Sequence, residues 1–298
     1  MKFVRFKKDN DELLGVFTKD ENAVIEVSSV LSGKKFATMI DLIEQVREND
    51  IKKLKMVLAG ETSDYLQYHI SEVKLCSPIK KPIHDIICVG VNYKDHLEET
   101  KESFGENSFK KPAKSVYFSK RAIEIIGSDE VIKSRLDLDE QLDYEVELAV
   151  IIGKKGTCIP KDKVEEYIFG YSVFNDISSR KLQQQHLQWY RGKSLDTYTA
   201  MGPSIIYKTD LPFPIEVDVI SSVNDEVRQY SNTKLLLADI PTLISEISNG
   251  ITLEPGDIIA TGTPSGVGMG FKPPRFMKKG DTVTCEIPEI GKLTNIVE

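Results

Sequence analysis

Apolar and polar residues alternate along residues 142–152, which read L-D-Y-E-V-E-L-A-V-I-I. In a strand, successive side chains point to opposite faces. Leu142, Tyr144, Val146, Leu148 and Val150 then share an apolar face, and Asp143, Glu145 and Glu147 point the other way. A second apolar run, Y-I-F-G-Y-S-V-F-N-D, ends at Asp176. Near the start, MKFVRF and LLGVFTKDENAVIEV read as short strands with a turn at 19–22. The period of Met39, Ile40, Leu42, Ile43 and Val46 predicts a helix over 37–48, and 51–58 and 65–73 fit further helices or a helix–strand mix. Residues 77–83 (S-P-I-K-K-P-I) read as a boundary. Beyond it the pattern predicts strands at 85–90 and 115–118, a helix after Asn92, helical stretches at 161–167, 178–188 and 240–247, and short strands between. A strand- and turn-rich last third closes on a meander from Thr282. Strands outnumber helices after residue 85 without regular βα alternation. This predicts an α+β, mainly β core rather than a doubly wound parallel sheet. The expected division is a small N-terminal α/β domain, 1–76, and a catalytic domain, 77–298.

Composition narrows the classes. The chain has 298 residues, 40% hydrophobic and 29% charged, enough for a substantial core. Net charge is −7 and no basic run is sustained, so no nucleic-acid partner is expected. No apolar run approaches membrane-spanning length, and the opening residues lack the apolar stretch of a signal peptide. Cys76, Cys88, Cys158 and Cys285 are far apart, which fits reduced, mostly buried thiols in a cytoplasmic protein.

The carboxylates carry the first chemical expectation. Glu145 and Glu147 lie about 6–7 Å apart along a strand, and their side chains are long enough to converge on one cation. With Asp176 they form a candidate oxygen-only site for a hard divalent metal. The commoner meaning of Glu-x-Glu on a strand is a solvated face. In V-N-Y-K-D-H-L-E-E-T, His96 and Glu99 fall three apart on one helical face. A Glu beside a His orients the imidazole and raises its basicity, so the pair is a candidate for activating water; the alternative is an incidental surface His. Lys193, in G-K-S-L-D-T, would offset the carboxylate charge and bind a substrate carboxylate, and Arg180 and Gln183 would line the same pocket. The loop T-G-T-P-S-G-V-G from Thr261 lets backbone N–H groups approach an anion, with a small carboxylate as the best guess. It is neither a P-loop nor a dinucleotide fingerprint. Cys and His spacing excludes a zinc site, and no G-x-S-x-G exists.

Taken together, I-C-V-G-V-N-Y-K-D-H, V-Y-F-S-K, D-Y-E-V-E-L-A-V-I-I-G, F-G-Y-S-V-F-N-D-I-S-S-R-K-L-Q, W-Y-R-G-K-S-L-D-T and D-I-I-A-T-G-T-P-S-G-V-G resemble the fumarylacetoacetate hydrolase family, over about residues 85–290. The resemblance implies a mixed β-sheet roll with flanking helices, usually a homodimer. It implies Mg2+ or Mn2+ held by Glu145, Glu147 and Asp176, and a His96–Glu99 dyad on a mobile lid. Gln183, Lys193 and Thr263 fall at substrate-binding positions, with Arg180 and with Lys120 of the F-x-K segment. Val91, Arg121 and Ala200 depart from the commonest pattern and bear on substrate preference. The chemistry implied is that of a small 2-oxo acid chelated through its keto oxygen and carboxylate and reacting through an enolate. The expectation favours C–C cleavage, by oxaloacetate-type decarboxylation or acylpyruvate hydrolysis, over a tautomerase or an isomerase of a 2-hydroxy-dienedioate. A binding or scaffold protein that keeps the fold is the alternative of another class.

Overall fold

The strands Val146–Ile152 and Ile168–Asp176 are buried along their whole length. Strands buried on both faces need a layer on each side. Leu148, Val150, Tyr171 and Val173 pack into one core with Val219, Val283, Cys285 and Leu293 of a second sheet. Ala149, Ile151, Phe169 and Phe174 pack into another with Leu42, Ile51 and Leu54 from N-terminal helices. A central sheet with a smaller sheet on one face and helices on the other follows from that burial. The structure is a computed structural model that describes residues 1–62, 64–104, 114–186 and 188–298.

Among the described residues the main sheet has eleven strands. Its path runs Gln67–His69, Ala23–Glu26, Asp11–Phe17, Lys2–Lys8, Thr199–Tyr207, Ile168–Asp176, Val146–Ile152, Ile258–Ala260, Ile86–Gly90 and Val116–Lys120, with Lys74–Cys76 pairing Lys2–Lys8 off this path. Ile258–Ala260 and Ile86–Gly90 run parallel, whereas Val146–Ile152 and Ile168–Asp176 are antiparallel. The second sheet orders Glu226–Asn232, Asp218–Val223, Thr282–Ile287, Gly291–Val297 and Val131–Ile132. The fold is thus α+β, mainly β and mixed, as the pattern predicted.

Residues 1–76 do not stand apart from this framework. Lys2–Lys8 pairs antiparallel with Thr199–Tyr207, with Phe3 opposite Ile205. Arg5 fastens the corner: its Nε donates to the Ser77 carbonyl at 2.8 Å and its Nη1 meets Glu12 at 2.8 Å. Helix Met39–Gln45 starts at a capping box, in which the Thr38 hydroxyl accepts from Asp41 N–H at 3.1 Å and Asp41 accepts from Thr38 N–H at 2.9 Å. Helix Glu48–Leu58 buries Ile51, Leu54 and Val57 beside it. Cys76, Cys88 and Cys285 are buried and Cys158 is exposed; all four are free thiols. No described helix is long and apolar enough to cross a membrane.

Candidate active site

The alternation over 142–152 is interrupted at the point that matters. Leu142–Asp143 leaves the main sheet to pair with Ser178–Ser179, and Val146–Ile152 resumes the ladder. Tyr144 and Glu145 between them take side-chain partners: Tyr144 N–H donates to Asp143 Oδ1 at 2.9 Å, and Glu145 N–H to Asn175 Oδ1 at 3.1 Å. Asp176 N–H donates to the Glu145 carbonyl at 2.9 Å, which sets these two residues across from each other. Glu147, in register with Phe174, supplies the third carboxylate. One oxygen from each of Glu145, Glu147 and Asp176 lies within 4.8 Å of the others, and all three residues are buried. The solvated-face alternative is excluded by that burial.

Three cations are enclosed with them. Lys193 Nζ is 2.7 Å from Asp176 Oδ2 and 2.9 Å from Glu145 Oε2. Lys120 Nζ donates to Asp176 Oδ1 at 2.6 Å and to the Ile177 carbonyl at 2.9 Å. Arg180 Nη1 meets Glu145 Oε1 at 2.6 Å, and its Nε meets Asp143 Oδ2 at 2.8 Å. Glu147 Oε2 accepts the Gly262 N–H at 2.7 Å, and no ion pair joins Glu147 to a cation among the described residues. Burial raises the Glu145 carboxyl, but Lys193, Arg180 and His96 outweigh it and hold the group at about 2. At Glu147, burial and then the Asp176 and Glu145 charges all push upward, and the carboxyl sits well above its usual range. Burial takes Lys120 below the ordinary lysine value despite Asp176, whereas at Lys193 burial is outweighed by Asp176 and Glu145 and the group is raised. The positive charge that is lacking is therefore lacking at Glu147. An all-oxygen donor set with unmet negative charge fits Mg2+ or Mn2+, and ionised carboxylates retain lone pairs for it beside the lysine contacts.

Helix Lys94–Phe104 forms the His–Glu pair, with His96 Nδ1 2.9 Å from Glu99 Oε2. A carboxylate accepts, so Nδ1 carries the hydrogen there and a neutral ring keeps its lone pair on Nε2. Glu99 Oε1 also accepts the Gly266 N–H at 2.9 Å, and the Ser265 hydroxyl donates to Asp95 Oδ2 at 2.7 Å, which docks the helix on the glycine-rich loop. That loop was expected to hold a substrate carboxylate. Its amides instead hold the protein's own acids: Gly262 binds Glu147, Gly266 binds Glu99, and Gly268 and Met269 bind Asp143 at 2.6 and 3.0 Å. Gly262 has φ +100°, and a Cβ there would meet Asn92 Cβ at 2.8 Å and Val89 O at 2.9 Å, so glycine is what lets the amide reach Glu147.

A cavity of about 380 Å3 opens beside the cluster. His96, Glu145, Arg180, Gln183, Lys193 and Thr263 are on its wall, with Val91, Phe118, Trp189 and Met269 as apolar neighbours. Glu147, Asp176 and Glu99 are not on the wall; Asp176 is bonded to Lys193 and Glu99 to His96, which are, and Glu147 lies within 4.8 Å of Glu145. Lys120, expected to face substrate, is absent from the wall and wholly enclosed against Asp176. That geometry makes it a charge partner of a carboxylate, one residue removed from the wall through Asp176 and Lys193. Helix Arg180–Gln185 positions the arginine and glutamine. Asp139 fills its first amides, accepting from Lys181 N–H at 2.9 Å, Leu182 N–H at 3.3 Å and the Ser179 hydroxyl. Gln183 Oε1 accepts from Arg180 Nη1 at 3.1 Å. Among the described residues Arg180 Nη2 and the Thr100 hydroxyl have no partner; both are buried, and both residues lie on the cavity wall. Val91 holds φ +52°, a strained conformation for a β-branched residue, on the same wall. Asp139, Asp143 and Thr100 carried no expected role. Asp143 shares strand parity with Glu145, a signal that was present; Asp139 acts on Ser179, Lys181 and Leu182, 40 or more positions away, and the Thr100 hydroxyl has no partner among the described residues.

A mixed sheet that gathers a buried carboxylate triad beside a His–Glu pair and a cavity defines a scaffold whose donor set fits a hard cation. Residues 85–298 match the family model described as fumarylacetoacetate (FAA) hydrolase C-terminal. The chain belongs to the fumarylacetoacetate hydrolase family. It is 46% identical over 228 residues to the oxaloacetate tautomerase YisK of Bacillus subtilis, covering 76% of this chain and 74% of that protein. Among solved structures it resembles the fumarylacetoacetate hydrolase of Exiguobacterium antarcticum, with TM-score 0.81, 36% identity and coverage of 100% and 99%. It also resembles the maleylpyruvate hydrolase of Sphingobium sp. SYK-6 in complex with manganese(II) ion and pyruvate, with TM-score 0.76, 27% identity and coverage of 100% and 98%.

Proposed function

We propose that this family enzyme interconverts the keto and enol forms of a small 2-oxo acid of the oxaloacetate class, with Mg2+ or Mn2+ at Glu145, Glu147 and Asp176. The observation that carries the reading is the buried triad with its unmatched Glu147, set beside a His–Glu pair and a small cavity. The activity in the name of the Bacillus relative supports oxaloacetate and moves tautomerisation ahead of the C–C cleavage the sequence favoured. When bound, the cation supplies Lewis-acid polarisation of a keto oxygen. The chain supplies the rest. His96, with Glu99 on Nδ1, offers Nε2 to take the proton from C3 as the C3–H bond breaks, and the return of that proton from Nε2 to the C2 oxygen completes the enol. Arg180 Nη2 and the Thr100 hydroxyl are the unused donors for the far carboxylate. Lys193 holds Glu145 ionised at the cavity edge and bridges it to Asp176. Phe118, Trp189 and Met269 restrict water around the reacting carbon.

C–C cleavage stays as a second reading, because the maleylpyruvate hydrolase neighbour was solved with manganese and pyruvate. One assay separates the readings. Loss of enol oxaloacetate absorbance and release of CO2 or pyruvate are followed with Mn2+ and with chelator. Chelator-sensitive enol loss faster than product release is expected, and Glu145→Ala should lower it by more than about 100-fold while the circular dichroism spectrum is kept. Turnover that survives metal stripping defeats the metal reading, and no turnover on any small 2-oxo acid would favour a binding protein.

A further inference from the structure

Gln229 lies on the strand Glu226–Asn232 of the second sheet and is fully buried. Backbone partners fix which way its amide faces. Val146 N–H can only donate, so the atom it meets at 3.1 Å is Oε1; the Pro264 carbonyl can only accept, so the atom 2.8 Å away is Nε2. Oε1 also accepts from the Ser221 hydroxyl at 2.9 Å, and Nε2 also donates to Thr263 Oγ1 at 2.7 Å. Both lone pairs and both hydrogens of the amide are thus in use. Thr263 donates its own hydrogen to the Val146 carbonyl at 2.9 Å. The result is a closed ring through Val146, the residue between the two glutamates: its N–H is held by Gln229, its carbonyl by Thr263, and Gln229 joins the two.

The ring has a consequence for the cavity. A threonine hydroxyl has one hydrogen and two lone pairs. In Thr263 the hydrogen goes to Val146 and one lone pair receives Gln229, so one lone pair is left, and Thr263 is on the cavity wall. A carboxylate placed there would meet a lone pair and no hydrogen. We infer that Gln229 is a positioning residue that clamps the peptide between Glu145 and Glu147 and makes Thr263 an acceptor-only group, so that the cavity takes an O–H donor at Thr263 and not an anion. The donor is the enol hydroxyl of the substrate or a water molecule. The choice of substrate rests on the proposed function; the clamp itself does not.

Gln229→Met removes the clamp with nearly unchanged volume, Thr263→Val removes the acceptor, and Thr263→Ser keeps it. Three quantities are read: thermal midpoint of the metal-free chain, Mn2+ affinity from the spin-resonance signal of free Mn2+, and kcat and KM for enol oxaloacetate. Gln229→Met should weaken Mn2+ binding and lower kcat, each by about 10-fold or more. Thr263→Val removes the clamp's bond to the Val146 carbonyl along with the acceptor, so it should weaken Mn2+ binding as Gln229→Met does; an enol-hydroxyl donor adds a KM increase of about 10-fold over that of Gln229→Met, and a water donor adds none. Thr263→Ser should restore wild-type values. A Gln229→Met chain that melts lower yet binds Mn2+ and turns over within about twofold of wild type has lost only structure, and overturns the positioning role. Thr263→Val with neither constant changed overturns the acceptor. Failure of the substrate reading would show in the wild type itself as no enol turnover, while the Mn2+ ratio would still test the clamp.

Discussion

Lys120 and Lys193 are both enclosed, and each meets Asp176, through Oδ1 and Oδ2 respectively. They differ in what else they meet. Lys193 also reaches Glu145 and the cavity wall; Lys120 reaches the Ile177 carbonyl and no wall. A buried ion pair adds little net stability, but removing one partner strands a charge and costs about 3–5 kcal/mol. Lys120→Met should therefore lower the metal-free unfolding free energy by about that amount, with added Mn2+ raising the variant's midpoint more than the wild type's. KM in the folded enzyme should stay within about twofold, read by steady-state kinetics beside denaturant titration. A large KM increase without loss of stability would return Lys120 to the substrate-binding role the resemblance implied. Residues of this kind mark where the sequence stops being legible. Glu145 and Glu147 were readable because strand parity is local, and Asp176 because it ends an apolar run. The partner of Lys120 lies 56 positions away, and the hydrogen-bond orientation of Thr263 depends on an amide 34 positions away. No local pattern encodes either.

The helix Lys94–Phe104 and the loop that receives it meet through a glycine. A Cβ on Gly270 would lie 1.9 Å from Glu99 Oε1 and 2.2 Å from its Cδ. Glu99 cannot yield without leaving His96 Nδ1 or the Gly266 amide, both at 2.9 Å. Gly270→Ala should thus unseat the carboxylate that orients His96 while leaving the cores intact. The expected result is a kcat loss of about 10- to 100-fold with a thermal midpoint shift below about 2 °C. Unchanged kcat would mean that His96 needs no orientation by Glu99. Element positions were largely legible because their signals are periodic: the helix expected at 240–247 is Ile240–Ile247, and the strand expected to end at Asp176 does so. The break at Tyr144 and Glu145 was not legible. It exists because the Asn175 side chain replaces a ladder partner for Glu145 N–H, and a polar residue beside Asp176 looks the same whether or not it does this.

At the scale of the whole molecule, composition and pairing disagree about residues 1–76. The Ser77–Pro78 region reads as a linker, and the family match begins only at residue 85. Yet Lys2 and Phe3 pair with Ile206 and Ile205 on a strand that also pairs with Ile168–Asp176, the strand carrying a candidate metal ligand. The helices of this region share a core with Phe169, Phe174, Met201 and Ile205. Non-local pairing of this kind leaves no trace in a boundary reading, because the linker is local and the pairing partner is about 200 positions away. Each large apolar side chain returned to water costs about 1.5–3 kcal/mol, so uncovering that face removes an amount comparable with the about 5–15 kcal/mol net stability of a whole domain. A chain of residues 77–298 should therefore be molten or aggregated, with no sharp melting transition and no Mn2+ binding. The full chain should melt in one calorimetric transition that coincides with loss of activity. Two transitions, together with a folded 77–298 fragment that still binds Mn2+, would make the N-terminal region a separate domain and leave the catalytic sheet self-sufficient.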